Sequence, residues 1–212
     1  MRRGHPFIAA VYDRLLHTEE RRLLGGLRDE VVGLAKGTVV EIGVGTGLNF
    51  SHYRADAIAH FYAVEPDPFM RRQAERRAAA IAFPIEFLAA TAEQLPLPDQ
   101  SVDTVVTTLV LCSVDDPDQA SREMHRVLKR DGHLLLIEHV RAGDGWRATV
   151  QDVLAPFWRR VAANCHPNRA TLDDLRDAGF TLSETRRISS GMPLDRPLVA
   201  AVGSVTGTDG SQ

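Results

Sequence analysis

Short apolar runs and stretches with helical spacing alternate along most of this chain. The apolar runs are residues 38–42, 61–65, 85–89, 103–110 and 133–139, and the first of them is rich in β-branched residues. Runs of this length and composition are typical of buried strands. Between them, apolar residues recur at helical spacing, most clearly in residues 68–80 and 116–129. This regular alternation predicts a parallel sheet with helices on both faces.

The pattern changes after residue 139. The later elements are an amphipathic helix over residues 146–161 interrupted at Pro156, a helix that starts with a capping box at Thr171-x-x-Asp174 and stops at Gly179, and strands over residues 180–187 and 198–202. We expect the last two strands to pair as an antiparallel hairpin at the sheet edge. The prediction is an α/β, Rossmann-like fold with seven strands, most of them parallel.

The composition is that of an ordinary globular protein. The 212 residues are 44% hydrophobic and 25% charged, with a formal net charge of −3. These values exclude a disordered chain or a fibre, and they give no electrostatic reason to expect nucleic acid as a partner. The length predicts one domain with a substantial core.

The cysteines and the apolar runs bear on the cellular compartment. Cys112 and Cys165 are the only cysteines, and they form neither a disulfide framework nor a metal-binding spacing. The first six residues lack the apolar run of a signal peptide, and no stretch reaches the roughly 18 apolar residues of a membrane span. We therefore expect a cytoplasmic protein without a metal.

A glycine-rich turn follows the first predicted strand. It reads Glu41-Ile-Gly43-Val-Gly45-Thr-Gly47, and a helix is expected to open near Leu48. Glycines at this place let the backbone turn tightly and let a ligand approach it closely. The dinucleotide fingerprint G-x-G-x-x-G would need glycine where Leu48 stands, and no Gly-Lys-Ser/Thr sequence completes a P-loop. The spacing of the glycines therefore weakens the interpretation as a dinucleotide-binding turn, and the missing Gly-Lys-Ser/Thr sequence excludes a P-loop.

Two acidic residues lie beside this turn. Glu65 ends the second predicted strand, 20 residues beyond Gly45, where a carboxylate can accept hydrogen bonds from both ribose hydroxyls. A solvated charge at the end of a strand is the alternative interpretation of Glu65. Glu41 ends the first strand, and a carboxylate among glycines suits a cationic ligand such as an amino group or a sulfonium.

The order of these features resembles that of the class I S-adenosylmethionine-dependent methyltransferases. The further matching stretches are Thr91-Ala-Glu-Gln-Leu-Pro96, Asp99-x-Ser-x-Asp103 and Arg126-Val-Leu-Lys-x-x-Gly132. The resemblance spans roughly residues 38–140. It implies S-adenosylmethionine as the cofactor, with S-adenosylhomocysteine as the product.

The resemblance also implies which residues hold the cofactor. Glu65 would bind the ribose, and the three glycines of the turn would surround the methionine part. Thr91 and Ala92 would lie near the adenine, and Leu109 would lie beside the transferred methyl group. The predicted cofactor set is completed by Glu41, Asn49, Pro66 and Glu93.

The family comparison divides the chain into three parts. Residues 1–36 would form a helical cap over the active site. Residues 37–203 would form the methyltransferase domain, with a helical substrate insertion at about residues 140–171. Residues 204–212, rich in Gly, Ser and Thr, would be a flexible tail.

A narrower resemblance links the chain to the thiol S-methyltransferases, which methylate hydrogen sulfide and small alkyl thiols. It rests on Asn49-Phe-x-x-Tyr53, Thr108-Leu-Val-Leu-Cys-Ser-Val114, Glu138-His-Val140, the residues Trp146, Gln151, Pro156 and Trp158, and Asn164-Cys-x-x-x-Arg169-x-Thr171. The animal members carry a hydrophobic anchor at the N-terminus that this sequence lacks. We expect no stable membrane insertion, and we leave peripheral contact with lipid open.

Candidate substrate residues follow from the same comparison. His139, at the end of the fifth strand, is the first candidate to orient or deprotonate a substrate, and Glu138 is the second. Candidates for substrate contact are Tyr12, Cys112, Cys165, His166 and Arg169. For each of these residues a purely structural role is the alternative interpretation.

Three other functions stay open on the sequence alone. Small bacterial phosphatidylethanolamine N-methyltransferases share the glycine turn and the strand pattern. O- or C-methylation of a small natural product is the next alternative. The third is a cofactor-binding protein without catalysis, or a nicotinamide oxidoreductase. The substrate is expected to be a small molecule, and the sequence carries no indication of oligomeric state.

Overall fold

A single sheet of seven strands forms the centre of the molecule. The computed structural model describes residues 24–141, 145–146, 149–153, 155, 166, 168–188 and 197–205. The strands are β1 (Gly37–Ile42), β2 (Ile58–Val64), β3 (Ile85–Leu88), β4 (Val102–Thr108), β5 (Leu128–His139), β6 (Phe180–Ile188) and β7 (Leu198–Val205). Their order across the sheet is β3-β2-β1-β4-β5-β7-β6. The pairs among β1 to β5 are parallel, whereas β7 is antiparallel to both β5 and β6. The predicted fold and edge hairpin are confirmed.

Helices cover both faces of this sheet. They are α1 (Gly25–Val31), α2 (Pro68–Ala78), α3 (Pro117–Val127) and α4 (Thr171–Asp177). The buried residues of α3 and α4 belong to one core cluster, together with one face of β1, β4 and β5. Those of α1 and α2 belong to a second cluster on the opposite face. Side chains that alternate along a strand therefore reach two separate cores.

Aspartates start the two helices that follow β2 and β4. The side chain of Asp67 accepts hydrogen bonds from the N–H groups of Phe69, at 2.7 Å, and Met70, at 3.2 Å. Asp116 accepts one from Gln119 at 2.9 Å. In both helices proline occupies the first turn, where its missing N–H costs no hydrogen bond. These caps fix the N-termini of α2 and α3 close to the strand ends.

Two predicted helix boundaries are wrong. The segment after the glycine turn forms only a short 3₁₀ turn, Phe50–His52, and the backbone is extended again at Tyr53. The reason is that Phe50 is anchored edge-to-face on Phe61 and Phe87 in the core, while the Tyr53 ring packs on Phe61. Likewise α3 ends at Val127 rather than at residue 129, because the next residue already pairs with β4.

The capping box predicted at Thr171 is also wrong. The residue that caps α4 is Ala170, and no side chain provides a capping hydrogen bond. Thr171 lies inside the first turn, is buried, and its hydroxyl has no hydrogen-bond partner within the described residues. The hydroxyl of Thr171 therefore does not cap the helix.

Several predicted regions fall partly or wholly outside the described residues. Most of the N-terminal cap, residues 1–23, and most of the insertion between residues 142 and 167 belong to these regions. Strand β7 continues to Val205, so residues 204 and 205 belong to the sheet rather than to the predicted tail. Within the described part, no helix is both long enough and apolar enough to cross a membrane.

Candidate active site

The carboxyl ends of β1, β2, β4 and β5 meet at one edge of the sheet. The strand order reverses between β1 and β4, because the chain runs from β1 outward to β3 and then returns to β4. In open α/β sheets, ligands bind in the crevice at such a reversal. Most of the predicted site residues lie at the ends of these four strands, so the fold brings them to the same edge.

The glycine turn after β1 needs glycine for different reasons at different positions. Gly43, Gly45 and Gly47 all have positive φ angles, of 66°, 56° and 82°. A Cβ on Gly43 would lie 2.6 Å from Val110, and one on Gly47 would lie 2.6 Å from Phe50 and 3.2 Å from the Cα of Ala74. A Cβ on Gly45 would meet no atom of the described residues within 4 Å. Gly45 therefore borders open space where a ligand can contact the backbone.

Glu65 closes this space from the side of β2. One carboxylate oxygen accepts a hydrogen bond from the N–H of Gly45 at 2.9 Å, and the other accepts one from the N–H of Asp67 at 2.8 Å. Burial raises the pKa of Glu65, although the hydrogen bonds from Asp67 and Gly45 oppose that rise. Because Glu65 is only 7% exposed, the interpretation as a solvated strand-end charge is wrong. The carboxylate is held at the glycine turn.

Glu41 is buried beneath the turn in a small polar network. The Tyr53 hydroxyl donates a hydrogen bond to one oxygen of Glu41, and the Asn49 amide donates one to the other, both at 2.8 Å. Burial raises the pKa of Glu41 to about 7. The hydrogen bonds and the positive charge of Arg28 lower it, and the negative charge of Glu65 raises it. A carboxyl with this pKa gains or loses a proton easily near neutral pH.

Asn49 connects this network to β4. Its amide nitrogen donates to Glu41 and also to the hydroxyl of Thr108, at 2.9 Å. Its side-chain oxygen is buried and has no hydrogen-bond partner within the described residues. A buried acceptor without a donor costs free energy, so a donor from a bound ligand or a water would be favourable here.

Three members of this network were not predicted as site residues. They are Arg28, Tyr53 and Thr108. Arg28 lies on the buried side of α1, one residue after Leu27 and three before Val31. That position, an arginine inside an apolar helical stripe, is the signal that could have identified it. Tyr53 and Thr108 were noted only as parts of family motifs.

The segment after β3 holds the predicted adenine residues. Thr91 is exposed and pairs with Gln94 across a tight turn, whereas Ala92 is buried. Glu93 accepts hydrogen bonds from the N–H groups of Asp115, at 2.8 Å, and Asp116, at 3.3 Å. Burial raises the pKa of Glu93, but hydrogen bonds from Thr91 and from backbone N–H groups outweigh it and lower the pKa. This carboxylate is already engaged by the loop that precedes α3.

Two further predicted cofactor residues occupy strand ends. Pro66 is exposed directly after Glu65. Leu109 follows β4 with a φ of 58°, and its N–H donates to the carbonyl of Ile137 at 2.8 Å. A positive φ is uncommon for a residue with a side chain, and such strain is often found at functional sites.

The two candidate catalytic residues point to opposite faces of the sheet. Glu138 is fully buried, and its carboxylate accepts hydrogen bonds from the N–H groups of Val110, at 2.9 Å, and Leu111, at 3.2 Å. Burial raises the pKa of Glu138 to about 8, helped by the neighbouring Cys112 thiol. His139 is half-buried on the other face, and its Nδ1 has no hydrogen-bond partner within the described residues. Of the two, His139 is the better placed to meet a substrate.

Three of the remaining substrate candidates lie in or contact the chain that follows β4. Cys112 is buried, and its carbonyl accepts a hydrogen bond from the N–H of His166 at 2.7 Å. The guanidinium of Arg169 donates to the carbonyls of Leu111, at 2.6 Å, and Val114, at 2.7 Å. Tyr12 and Cys165 lie outside the described residues. His166 and Arg169 therefore contact the chain that follows β4.

Comparisons with known proteins agree with this geometry. A family model described as a methyltransferase domain matches residues 40–136. Thiol S-methyltransferase TMT1B of Rattus norvegicus is 34% identical over 173 residues, which is 78% of this chain and 69% of that protein. A phosphatidylethanolamine N-methyltransferase of Cereibacter sphaeroides is 32% identical over 126 residues, covering 57% of this chain and 60% of that protein. A crystal structure of a putative methyltransferase from Bacillus halodurans has a TM-score of 0.72 at 14% identity, covering 87% of this chain and 99% of that one.

Proposed function

Because this chain belongs to the class I S-adenosylmethionine-dependent methyltransferases, we propose that it transfers a methyl group to a small thiol. The observation that carries the proposal is the match to a thiol S-methyltransferase, which combines 34% identity with coverage of 78% of this chain, whereas a longer match to a ubiquinone/menaquinone C-methyltransferase is only 28% identical. The match to the thiol S-methyltransferase covers 173 residues, so it extends well beyond the domain core of residues 40–136. Acceptor choice in such enzymes is expected outside the core. The match to the phosphatidylethanolamine enzyme covers only 126 residues.

The residues at the strand ends fit S-adenosylmethionine. Gly45 borders open space, and Glu65 lies 2.9 Å from its N–H group, which suits a ribose with two hydroxyls. The unpartnered oxygen of Asn49 and the carboxyl of Glu41 suit the positively charged methionine end. Leu109 and Ala92 provide apolar surface on either side.

The chemistry requires little from the protein beyond position and a proton acceptor. When bound, S-adenosylmethionine supplies an electrophilic methyl group on a positively charged sulfur, and transfer to a thiolate leaves two neutral thioethers. We assign His139 to accept the proton of the thiol on a ring nitrogen. A few per cent of a free thiol is already ionised near neutral pH, so this help is modest. Orientation within about 3–3.5 Å of the methyl group supplies much of the rate.

One experiment tests the acceptor class. The purified protein is incubated with S-adenosylmethionine and either hydrosulfide, an alkyl thiol, a catechol or a phosphatidylethanolamine dispersion, and S-adenosylhomocysteine release is measured. We expect thiol-dependent release that falls at least tenfold in Glu65→Ala. The matched control is Glu75→Ala, which removes a more exposed carboxylate paired with Arg71 on α2. Turnover with the lipid alone would contradict the thiol proposal and favour the phospholipid enzymes.

A second experiment tests the role of His139. If this side chain accepts the thiol proton, His139→Ala should lower kcat by roughly tenfold at pH 7, because a few per cent of the thiol is already ionised without it. The loss should shrink as the pH rises above about 8.5, where the thiol ionises without help. His133→Ala is the matched control, since His133 lies on the same strand β5 about 20 Å away. An equal loss at every pH would show that His139 does not act as the base.

A further inference from the structure

The loop after β4 is held by charged side chains from other parts of the fold. We call residues 109–116 the β4 loop; it begins at Leu109, which the family comparison puts beside the transferred methyl group. Its internal hydrogen bonds include the one from the N–H of Ser113 to the carbonyl of Val110, at 2.8 Å. Most of its other polar backbone groups bind to residues outside the loop.

The first of these contacts comes from Glu138 on β5. Each oxygen of the buried Glu138 carboxylate accepts one N–H of the loop, from Val110 and from Leu111. The carboxylate thus acts as a fixed acceptor for the first turn of the loop.

The second contact comes from the residues just before α4. The two terminal nitrogens of Arg169 donate to the carbonyls of Leu111 and Val114, at 2.6 and 2.7 Å. Next to it, the N–H of His166 donates to the carbonyl of Cys112 at 2.7 Å. Three loop carbonyls are therefore bound by a segment of four residues.

The third contact closes the far end of the loop. Glu93 accepts the N–H groups of Asp115 and Asp116, and its own carbonyl accepts a hydrogen bond from Gln119 at 3.4 Å. The loop is therefore attached at its start, middle and end. Arg169 and His166 join it to the end of the predicted substrate insertion, and Arg169 is the one that does so through its side chain.

We propose that Arg169 is a positioning residue for methyl transfer, which fixes the β4 loop against the segment that ends the substrate insertion. This inference rests on the proposed function, since it assumes that the β4 loop borders the methyl acceptor. The guanidinium is half-buried and is used by two backbone carbonyls. It therefore acts through the loop rather than on a substrate. A misplacement of about 1 Å at the reacting atoms can lower a rate roughly 10²-fold.

Arginine suits this role better than lysine. Its planar group presents several donors in a fixed arrangement, so it can reach two carbonyls three residues apart at once. A lysine in its place has one charged nitrogen on a flexible chain and would keep one carbonyl at best. Arg169→Lys should therefore restore only part of the function that Arg169→Ala loses.

Steady-state kinetics with the preferred acceptor test this role. For Arg169→Ala we expect kcat to fall at least tenfold, with Arg169→Lys between that value and wild type. The dissociation constant of S-adenosylhomocysteine, measured by titration calorimetry, should stay within twofold, because Glu65 and the glycine turn are untouched. Arg176→Ala is the matched control, because Arg176 forms an exposed pair with Asp173 on α4.

The outcomes separate this inference from the proposed function. If wild type accepts the lipid or the catechol instead of a thiol, the proposed acceptor is wrong, and the same kcat loss is still expected with that acceptor. An unchanged kcat in Arg169→Ala, a loss confined to KM, or equal losses of kcat and cofactor binding would overturn the positioning role. The positioning role would also be overturned if both variants failed to fold, or if wild type showed no turnover with any acceptor. Hydrogen exchange of the peptide spanning residues 109–116 should be faster in Arg169→Ala than in wild type.

Discussion

At the scale of single residues, the candidate site is characterised by two buried acidic side chains. Glu41 and Glu65 are 2% and 7% exposed, and burial raises the pKa of each. Both would be more easily ionised next to a positive charge. A cationic ligand would therefore offset part of the cost of ionising two buried carboxyls, which gives the pair a physical reason to favour a sulfonium compound.

The raised pKa of Glu41 predicts that cofactor binding depends on pH. Its pKa is about 7 in the folded protein against 4.5 normally, so between these values the folded protein keeps a proton that the free side chain would lose. A cationic ligand favours the ionised form, so S-adenosylmethionine should bind more tightly as the pH rises from about 5 to 7, and then level off. Binding at pH 6.5 should release a fraction of a proton, which calorimetry in buffers of different ionisation enthalpy measures.

The proton release has a direct control. Glu41→Gln removes the titrating group but keeps an oxygen for one of the two donors, so we expect the release to disappear. Glu75→Gln, a change on the surface of α2, should leave it unchanged. Proton release that persists in Glu41→Gln would show that another group is responsible.

At the scale of elements, Gly45 and Gly47 belong to the same turn but are needed for different reasons. Gly47 is needed by the fold, since Phe50 and the backbone of Ala74 occupy the place of its side chain. Gly45 faces open space, so the fold itself leaves room there for a side chain. Both positions have a positive φ, and they differ in whether other atoms occupy the place of a side chain.

Alanine at the two positions should therefore have different effects. Gly45→Ala should cost about 1–2 kcal/mol of stability, the usual cost of a positive φ with a side chain, and should weaken cofactor binding at least tenfold. Gly47→Ala adds a collision to the same backbone cost and should lose about 3 kcal/mol or more. Urea unfolding and calorimetric titration of S-adenosylhomocysteine measure both quantities. Equal stability losses, or unchanged binding in Gly45→Ala, would contradict this assignment.

At the scale of the whole molecule, the cofactor edge is assembled from four strands that are far apart in sequence. Glu41, Glu65, Leu109 and His139 each follow or end a different strand, and the parallel register brings them to one edge. A ligand that contacts the ends of several strands can bind only where those ends lie together, which is in the folded state. Binding should therefore stabilise the protein as a whole.

A thermal shift measures that stabilisation. At a concentration 100 times its Kd, a ligand adds about 2.7 kcal/mol, which corresponds to roughly 5–10 °C in a chain of this size. We expect such a shift with S-adenosylhomocysteine and none with NAD. The shift should be lost in Glu65→Ala and kept in Glu75→Ala. A shift with NAD alone would favour the oxidoreductase alternative.

Much of the site was predictable because its signals are local. The spacing from Gly45 to Glu65, the apolar runs before each, and the aspartate-proline pairs at the starts of α2 and α3 can be found from the sequence alone. Arg28 was missed because a charged residue in an apolar helical stripe is ordinarily assigned to the surface. The helix expected near Leu48 was wrong because the aromatic contacts of Phe50 and Tyr53 outweigh local helix preference.

By itself the sequence determined the order of the strands, the parallel sheet and the sheet edge at which we expect the cofactor, since periodicity and turn residues act over short distances. Only the tertiary structure decided what the buried charges do. Glu138 and His139 are neighbours in sequence, yet the alternation of a strand sends one into the loop after β4 and the other to the opposite face. Arg169 was a candidate for substrate contact with a structural role as the alternative, and only the fold brings its guanidinium to carbonyls 58 and 55 residues away. Such contacts depend on which surfaces meet after folding, and no local pattern encodes them.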